Sequence, residues 1–213
     1  MQYLVIEGNI GAGKTSLCEL IAKEKNGNLF LEQFEENPFL KKFYENHERY
    51  AFTTELSFLS TRYKQIKDLL KPDLFSEMIV ADYYLMKSLI FASKTLQHDE
   101  YQLYRNIFDI MIESSPKPDL YVYLHKSSEN LLENIKKRGR TYEQNITNDY
   151  LKDIETAYFE YFKQQNKIKI LVIDTNNLDF VANANDYEKI KSIIFKEDHP
   201  ELLTFYDFEK KLF

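Results

Sequence analysis

Apolar residues along the chain follow two rhythms. Five short, largely apolar runs, at 3–6, 29–34, 78–81, 120–124 and 168–173, read as strands covered on both faces. Between them, apolar positions recur at helical spacing. Leu17, Leu20 and Ile21 mark a helix over 15–25, and Phe52, Leu56, Leu59, Tyr63 and Ile66 line one face of a long helix over 48–70 that Pro72 stops. Strands alternating with helices predict an α/β fold, in which a mainly parallel sheet carries helices on both faces and binds ligands at the carboxyl ends of its strands. No internal repeat or low-complexity segment interrupts this order. Residues 1–195 form one expected domain. Residues 196–213 mix charged side chains with Leu202, Leu203, Phe205 and Phe208, and are expected to pack as a closing helix or an extension.

Composition narrows the classes. With 213 residues, 44% of them hydrophobic, the chain supports one sizeable core. Its 34 acidic residues outnumber 28 basic ones, for a net charge of -6, so nothing draws it to nucleic acid or anionic lipid. The single cysteine, Cys18, excludes an internal disulfide and suits a reducing cytosol. It is expected to be a small core side chain. An apolar run begins at Tyr3 without a basic leader, and no stretch has the length and polarity of a membrane span. A soluble, cytoplasmic protein is the expectation. His47, His98, His125 and His199 are scattered without the spacing of a zinc site.

Gly8-Asn9-Ile10-Gly11-Ala12-Gly13-Lys14-Thr15 stands between the first strand and the first helix and has the spacing of a phosphate-binding loop. Glycines let successive backbone N–H groups turn inward as a nest for phosphate oxygens, and the helix that follows adds its positive N-terminal end. Lys14 would reach the β- and γ-phosphates of ATP. Thr15 would give its hydroxyl to Mg²⁺, which bridges the same phosphates. The alternative is a chance glycine-rich turn; the strand before it and the helix behind it weigh against that.

Such a loop does not choose between kinases, GTPases and motors. Four further segments narrow the choice: Glu32-Gln33-Phe34-Glu35-Glu36-Asn37-Pro38-Phe39, the stretch 44–62, Ile90-Phe91-Ala92, and Arg138-Gly139-Arg140-Thr141-Tyr142-Glu143-Gln144. In this order, from Tyr3 to about Phe180, they resemble the deoxynucleoside kinase family. The resemblance implies a sheet of five parallel strands, an arginine-bearing lid over ATP, a deoxyribonucleoside acceptor and a homodimer formed through helices. Glu32 stands where the family keeps its general base. A carboxylate there would orient the sugar 5′-hydroxyl toward the γ-phosphorus and take its proton; the alternative is one solvated acid beside Glu35 and Glu36. Arg138 and Arg140 flank Gly139, as suits a mobile lid that brings guanidinium groups to a transferring phosphoryl group. Otherwise they serve the dipole of their own helix, as Lys136 and Lys137 would. By the same resemblance Tyr44 and Glu143 grip the sugar 3′-hydroxyl, and crowding around the absent 2′-hydroxyl favours deoxyribose. Phe91 stacks on the base or is simply core, and Asp179 and Phe180 lie beside the adenine of ATP.

Three positions depart from the family pattern. In the helix that reads the nucleobase, the usual glutamine is Glu55. An ionised carboxylate only accepts hydrogen bonds, so the matching base edge carries two donors, as guanine does at N1 and N2. Arg62 follows two turns later on the same face, placed to donate to guanine O6 and N7. The pair points to a purine, tilted toward deoxyguanosine; an ion pair between Glu55 and Arg62 is the alternative. After the third strand, the family's acid-Arg-Ser becomes Asp82-Tyr83-Tyr84. Asp82 still serves to hold Mg²⁺ through water, but the arginine's charge must come from elsewhere, and Lys87 is the candidate. Asn134 replaces another arginine one turn before Arg138.

Two other readings stay open. A nucleoside monophosphate kinase, such as a thymidylate kinase, would share the loop and lid but would need arginines for a second phosphate where this chain has Glu32, Glu35 and Glu36. A catalytically weak nucleotide-binding regulatory protein is favoured by the missing arginines.

Overall fold

A computed structural model describes residues 1–69, 76–196, 199 and 201–208. Its strands are β1 (Tyr3–Gly8), β2 (Asn28–Phe30), β3 (Ile79–Ala81), β4 (Leu120–His125), β5 (Ile170–Asp174) and β6 (Leu203–Tyr206). They form one sheet in the order β2-β3-β1-β4-β5-β6, with every neighbouring pair parallel. The helices are α1 (Lys14–Glu24), α2 (Leu40–Glu45), α3 (His47–Leu69), α4 (Met86–Thr95), α5 (His98–Ile112), α6 (Ser128–Arg138), α7 (Asn148–Gln164) and α8 (Ala184–Ile194). None of the described helices is long and apolar enough to cross a membrane. Pro72, expected to stop the long helix, lies outside the described residues.

Successive strand residues point to opposite faces, and the two faces differ in character. Tyr3 and Val5 of β1, Tyr121 and Tyr123 of β4 and Val172 of β5 meet Tyr104, Phe108, Tyr158 and Phe162 in an aromatic-rich layer beneath α3, α4, α5 and α7. Leu4 and Ile6, Val122 and Leu124, and Leu171 and Ile173 instead pack on Leu17, Cys18 and Ile21 of α1, Leu131 and Ile135 of α6, and Ile190 and Ile194 of α8. Burial on both faces is why the strands read as unbroken apolar runs. Each fully buried large apolar side chain contributes about 1.5–3 kcal/mol, so the sheet fixes where the loops at its carboxyl edge stand.

The sequence pattern predicts five strands; the described residues form six. The stretch expected as a closing helix or extension supplies β6, where Leu203 pairs with Ile170 and Tyr206 with Ile173, and Phe205 stacks on Phe159 with ring centroids 6.2 Å apart. Four residues carry too little pattern to announce a strand without the β5 edge that receives them.

β2 is shorter than the expected 29–34. Beyond Phe30 the backbone leaves the sheet because side chains take over its hydrogen bonds. Gln65 donates to the Leu31 carbonyl at 3.2 Å, and the Glu32 N–H donates to Asp82 Oδ1 at 2.7 Å. On α3, the expected apolar face is displaced in part: Leu59 and Ile66 are buried in the core. Phe52, Leu56 and Tyr63 are half-buried, whereas Glu55 and Arg62 are each only 4% exposed. The inner side of this helix faces a cavity as well as a core, and periodicity does not separate the two.

From β1 the chain crosses to β2 on one side, and from β3 to β4 on the other. A crevice therefore opens at the carboxyl ends of β1 and β3, where such folds bind their ligands.

Candidate active site

One wall of the crevice is the loop between β1 and α1. Gly11 and Gly13 adopt φ of +85° and +88°, a region that side-chain-bearing residues rarely enter. A Cβ at Gly13 would stand 2.8 Å from Phe180 Cζ, and one at Gly11 2.9 Å from the Leu131 carbonyl oxygen. The buried Asn9 anchors the loop to α7 by donating to the Leu151 carbonyl at 2.7 Å, and its Oδ1 accepts from the Ile10 N–H at 2.8 Å. Ala12 is buried in the core beneath the loop. Lys14 bends back to donate to the Asn9 carbonyl at 3.0 Å. Burial and the nearby Lys87 ammonium lower Lys14 to about 8, against the pull of Glu7 and Asp82.

Asp82, at the end of β3, ties this loop to the opposite wall. Its Oδ2 accepts from the Thr15 hydroxyl at 2.6 Å, while its Oδ1 holds the Glu32 N–H at 2.7 Å. The Glu32 side chain is thereby set at the mouth of the crevice. Its Oε1 accepts from Arg62 Nε at 2.8 Å and from Arg62 Nη2, and its Oε2 accepts from Lys87 Nζ at 2.6 Å. Burial would raise the Glu32 carboxyl, but the two cations outweigh it and hold the group well below the usual carboxylate range. Lys87 also faces the fully buried Glu7 at 3.9 Å. Burial favours the neutral amine, yet Glu32 and Glu7 prevail and raise Lys87 above its ordinary value.

Two cations from separate helices thus converge where the family arginine is missing. Lys87, the expected substitute, reaches the carboxylate directly. Arg62 departs from expectation: its fork grips Glu32, its Nη1 donates to the Ser88 hydroxyl at 2.6 Å, and its plane lies 4.9 Å over the Phe58 ring. Its donors are engaged by Glu32 and Ser88, and among the described residues it forms no ion pair with Glu55. A carboxylate oxygen that accepts from both Nε and Nη2 across the crevice wins over a partner on the same helix.

Beyond Glu32 the crevice opens into a cavity whose walls include Tyr44, Glu55, Phe91 and Tyr150. Glu55 bonds to the Thr95 hydroxyl at 3.1 Å. Phe91 is both cavity wall and core, edge-on to Tyr158 at 6.3 Å. Tyr44, on α2, stacks beside Tyr142 at 6.1 Å. Glu143 closes the outer side; it accepts from Arg138 Nη2, and from Arg140 Nη1 at 3.4 Å. The Arg140 guanidinium also covers the Phe34 ring at 4.0 Å. Both arginines border a second cleft shared with Gly11, Gly13, Lys14, Thr15 and Asn134, so they stand over the loop, and Arg138 bonds to Glu143 beyond its own helix end. Gly139 between them has φ +75° and open space around its Cα. Asn134 donates to the Gly11 carbonyl at 2.8 Å.

Asp179 and Phe180 border neither cleft. Phe180 is packed beneath Gly13, and Asp179 caps its own turn by accepting from the Ala182 N–H at 3.0 Å. Sequence reasoning passed over Glu7, Ser88, Thr95 and Tyr150. Glu7 left a signal, a carboxylate closing an otherwise apolar strand run directly before the loop; its Oε1 accepts from the Tyr84 N–H and its Oε2 from the Tyr158 hydroxyl, both at 3.1 Å. The others sit at ordinary helical positions and left none.

What the crevice is built for follows from its two ends. The loop offers backbone donors and Lys14 at one end, and Glu32 offers a carboxylate acceptor at the other. The protein is a P-loop phosphotransferase with an alcohol group as acceptor. The family model for deoxynucleoside kinases matches residues 4–197. A deoxyguanosine kinase of Bacillus subtilis (strain 168) is 35% identical over 195 residues, spanning 88% of this chain and 93% of the relative. A deoxyadenosine kinase of Lactobacillus acidophilus is 30% identical over 200 residues, spanning 89% and 93%. The structure of deoxyadenosine kinase from M. mycoides with bound dATP aligns with a TM-score of 0.79 at 27% identity, covering 91% of this chain and 99% of that one. The chain belongs to the deoxynucleoside kinase family.

Proposed function

We propose that the chain transfers the γ-phosphate of ATP to the 5′-hydroxyl of a purine deoxyribonucleoside, with deoxyguanosine preferred. The loop Gly8 to Thr15 cradles the triphosphate, with Lys14 leaving the Asn9 carbonyl for the β- and γ-oxygens. Thr15 and Asp82 offer hard oxygen donors 2.6 Å apart, a set that fits Mg²⁺, which takes few protein ligands beside phosphate and water. When bound there, the ion neutralises charge on the transferring group. The substrate hydroxyl donates to Glu32 and accepts from Lys87, which aims its lone pair at phosphorus. A carboxylate held so far down is a weak base, so its main work is orientation, and the proton moves to it late in a loose transfer. Arg138 and Arg140 release Glu143 to meet the phosphoryl group, and Tyr44 and Glu143 then hold the sugar 3′-hydroxyl.

The observation that carries this reading is the clamped Glu32. Arg62 and Lys87 are both turned to the Glu32 carboxylate, and Lys87 also faces Glu7, so neither is free to hold the phosphate of a nucleoside monophosphate, whereas a neutral sugar hydroxyl finds an acceptor in Glu32. Glu55 in the far cavity supports guanine, whose N1 and N2 donors match two carboxylate oxygens. The kinase domain in this reading spans 1–195, and the extension 196–213 adds the outer strand. A homodimer is the assembly this reading expects, with the groove between α4, α5 and α7, where Met86, Leu89 and Tyr161 gather, as its candidate contact. A cytoplasmic place in nucleotide salvage accords with the free, buried Cys18.

Base choice is checked by incubating the purified protein with Mg-ATP and each natural deoxynucleoside. Deoxyguanosine is expected to give the highest kcat/KM, with deoxyadenosine next. Preference for deoxycytidine or thymidine would overturn the assignment of Glu55.

A further inference from the structure

Glu55 is an acid of the far cavity whose charge is not fixed by a close cation. Arg62, on the same helix, is spent on Glu32 and Ser88, and among the described residues no Lys or Arg forms an ion pair with Glu55. Its neighbour is the Thr95 hydroxyl, which lies 3.1 Å from Glu55 Oε1 and 3.1 Å from the Phe91 carbonyl oxygen. A hydroxyl carries a single proton. If Thr95 gives it to Glu55, the carboxylate is served in its ionised form. A protonated carboxyl keeps that bond, with Oε1 still accepting and the proton on Oε2, which has no hydrogen-bond partner among the described residues and can donate it into the cavity. The surroundings accommodate either state with the same heavy-atom positions.

We propose that the proton on Glu55 selects between two purine substrates, guanine nucleosides entering when the carboxyl is ionised and adenine nucleosides when it is protonated. The inference rests on the reading of Glu55 as the base-facing residue. The chemistry is that of matched edges. Guanine presents two donors, N1–H and N2–H, to two accepting oxygens. Adenine presents an acceptor, N1, and a donor, N6–H, which need one donating and one accepting oxygen. The wrong pairing leaves a buried polar atom unmet in either direction.

The groups around Glu55 permit both states in the neutral range. Arg62 on α3, Lys87 on α4 and Glu32 beyond β2 act through the cavity, and Tyr44 of α2, Tyr104 of α5 and Tyr150 of α7 sense its charge. Burial pushes the Glu55 carboxyl up to about 7, against the attraction of Arg62 and the bond to Thr95.

The test is a competition. Deoxyguanosine and deoxyadenosine are mixed with Mg-ATP and the protein, and the ratio of dGMP to dAMP formed is read between about pH 6 and 8, where neither base titrates. Effects on Glu32, Lys14 or the lid cancel, because both substrates share them. The ratio follows ionised over protonated Glu55 and is expected to rise about tenfold per pH unit. A deoxyguanosine–deoxyinosine mixture, both with an N1–H donor, is expected to show no slope. Glu55→Gln, whose amide has a fixed donor and acceptor, is expected to favour deoxyadenosine at every pH. A flat wild-type ratio overturns the inference and leaves the purine kinase standing. An equal slope in Glu55→Gln or in the deoxyinosine mixture also overturns it. If neither purine is phosphorylated, the reading of Glu55 falls first and the inference with it.

Discussion

Glu32→Gln is expected to lower kcat by about 10²–10⁴-fold, the range for loss of a positioned acid–base group. It should do a second thing that an ordinary catalytic substitution does not. The carboxylate holds Arg62 and Lys87, both nearly buried, and an amide leaves the two cations facing each other. Removing one partner from a buried charge cluster costs about 3–5 kcal/mol, so the unfolding midpoint should fall as well. Glu32→Asp separates the effects. It keeps the charge and withdraws it by one methylene, so stability should largely return while turnover stays low. Thermal unfolding beside single-turnover transfer reads both quantities; a Glu32→Gln protein with unaltered turnover would remove Glu32 from the chemistry.

Lys87→Met is expected to cost about 10²-fold in kcat, the scale of losing one charged or hydrogen-bonding group aimed at the reacting atoms. Met fills much of the same volume, and Glu32 keeps Arg62 as a partner. The KM for ATP should hardly move, because Lys87 stands on the acceptor side of Asp82. Steady-state kinetics at saturating nucleoside separates the two parameters. Unchanged turnover would show that Arg62 alone supplies the charge of the missing family arginine.

These two side chains also show how far the residues alone speak. The loop at 8–15 was legible because glycine spacing, a strand before it and a helix after it are all local features. Glu32 was legible as a carboxylate after the second strand. Its clamp was not, since Arg62 lies thirty residues on and Lys87 fifty-five, and their meeting depends on how α3 and α4 cross the sheet edge. Arg62 reads in sequence as framing a guanine together with Glu55, because a shared helix face is visible there and a contact across a crevice is not. The displaced face of α3 has the same origin: a helix that lines a cavity buries polar residues, and periodicity counts only apolar ones. β6 escaped because an edge strand of four residues takes its identity from the strand beside it. The alternating order, the parallel sheet and the crevice at the strand ends were legible because buried strands leave apolar runs and crossovers leave helical ones.

The central claim is that a triphosphate in the loop faces an uncharged sugar hydroxyl at Glu32. It is tested most directly by offering the protein γ-labelled ATP with deoxyguanosine in one reaction and with dGMP in another. Label should pass to deoxyguanosine, giving dGMP, and should not pass from ATP to added dGMP. Label appearing in dGDP while deoxyguanosine stays unlabelled would contradict the claim, because the clamped carboxylate would then face a phosphate.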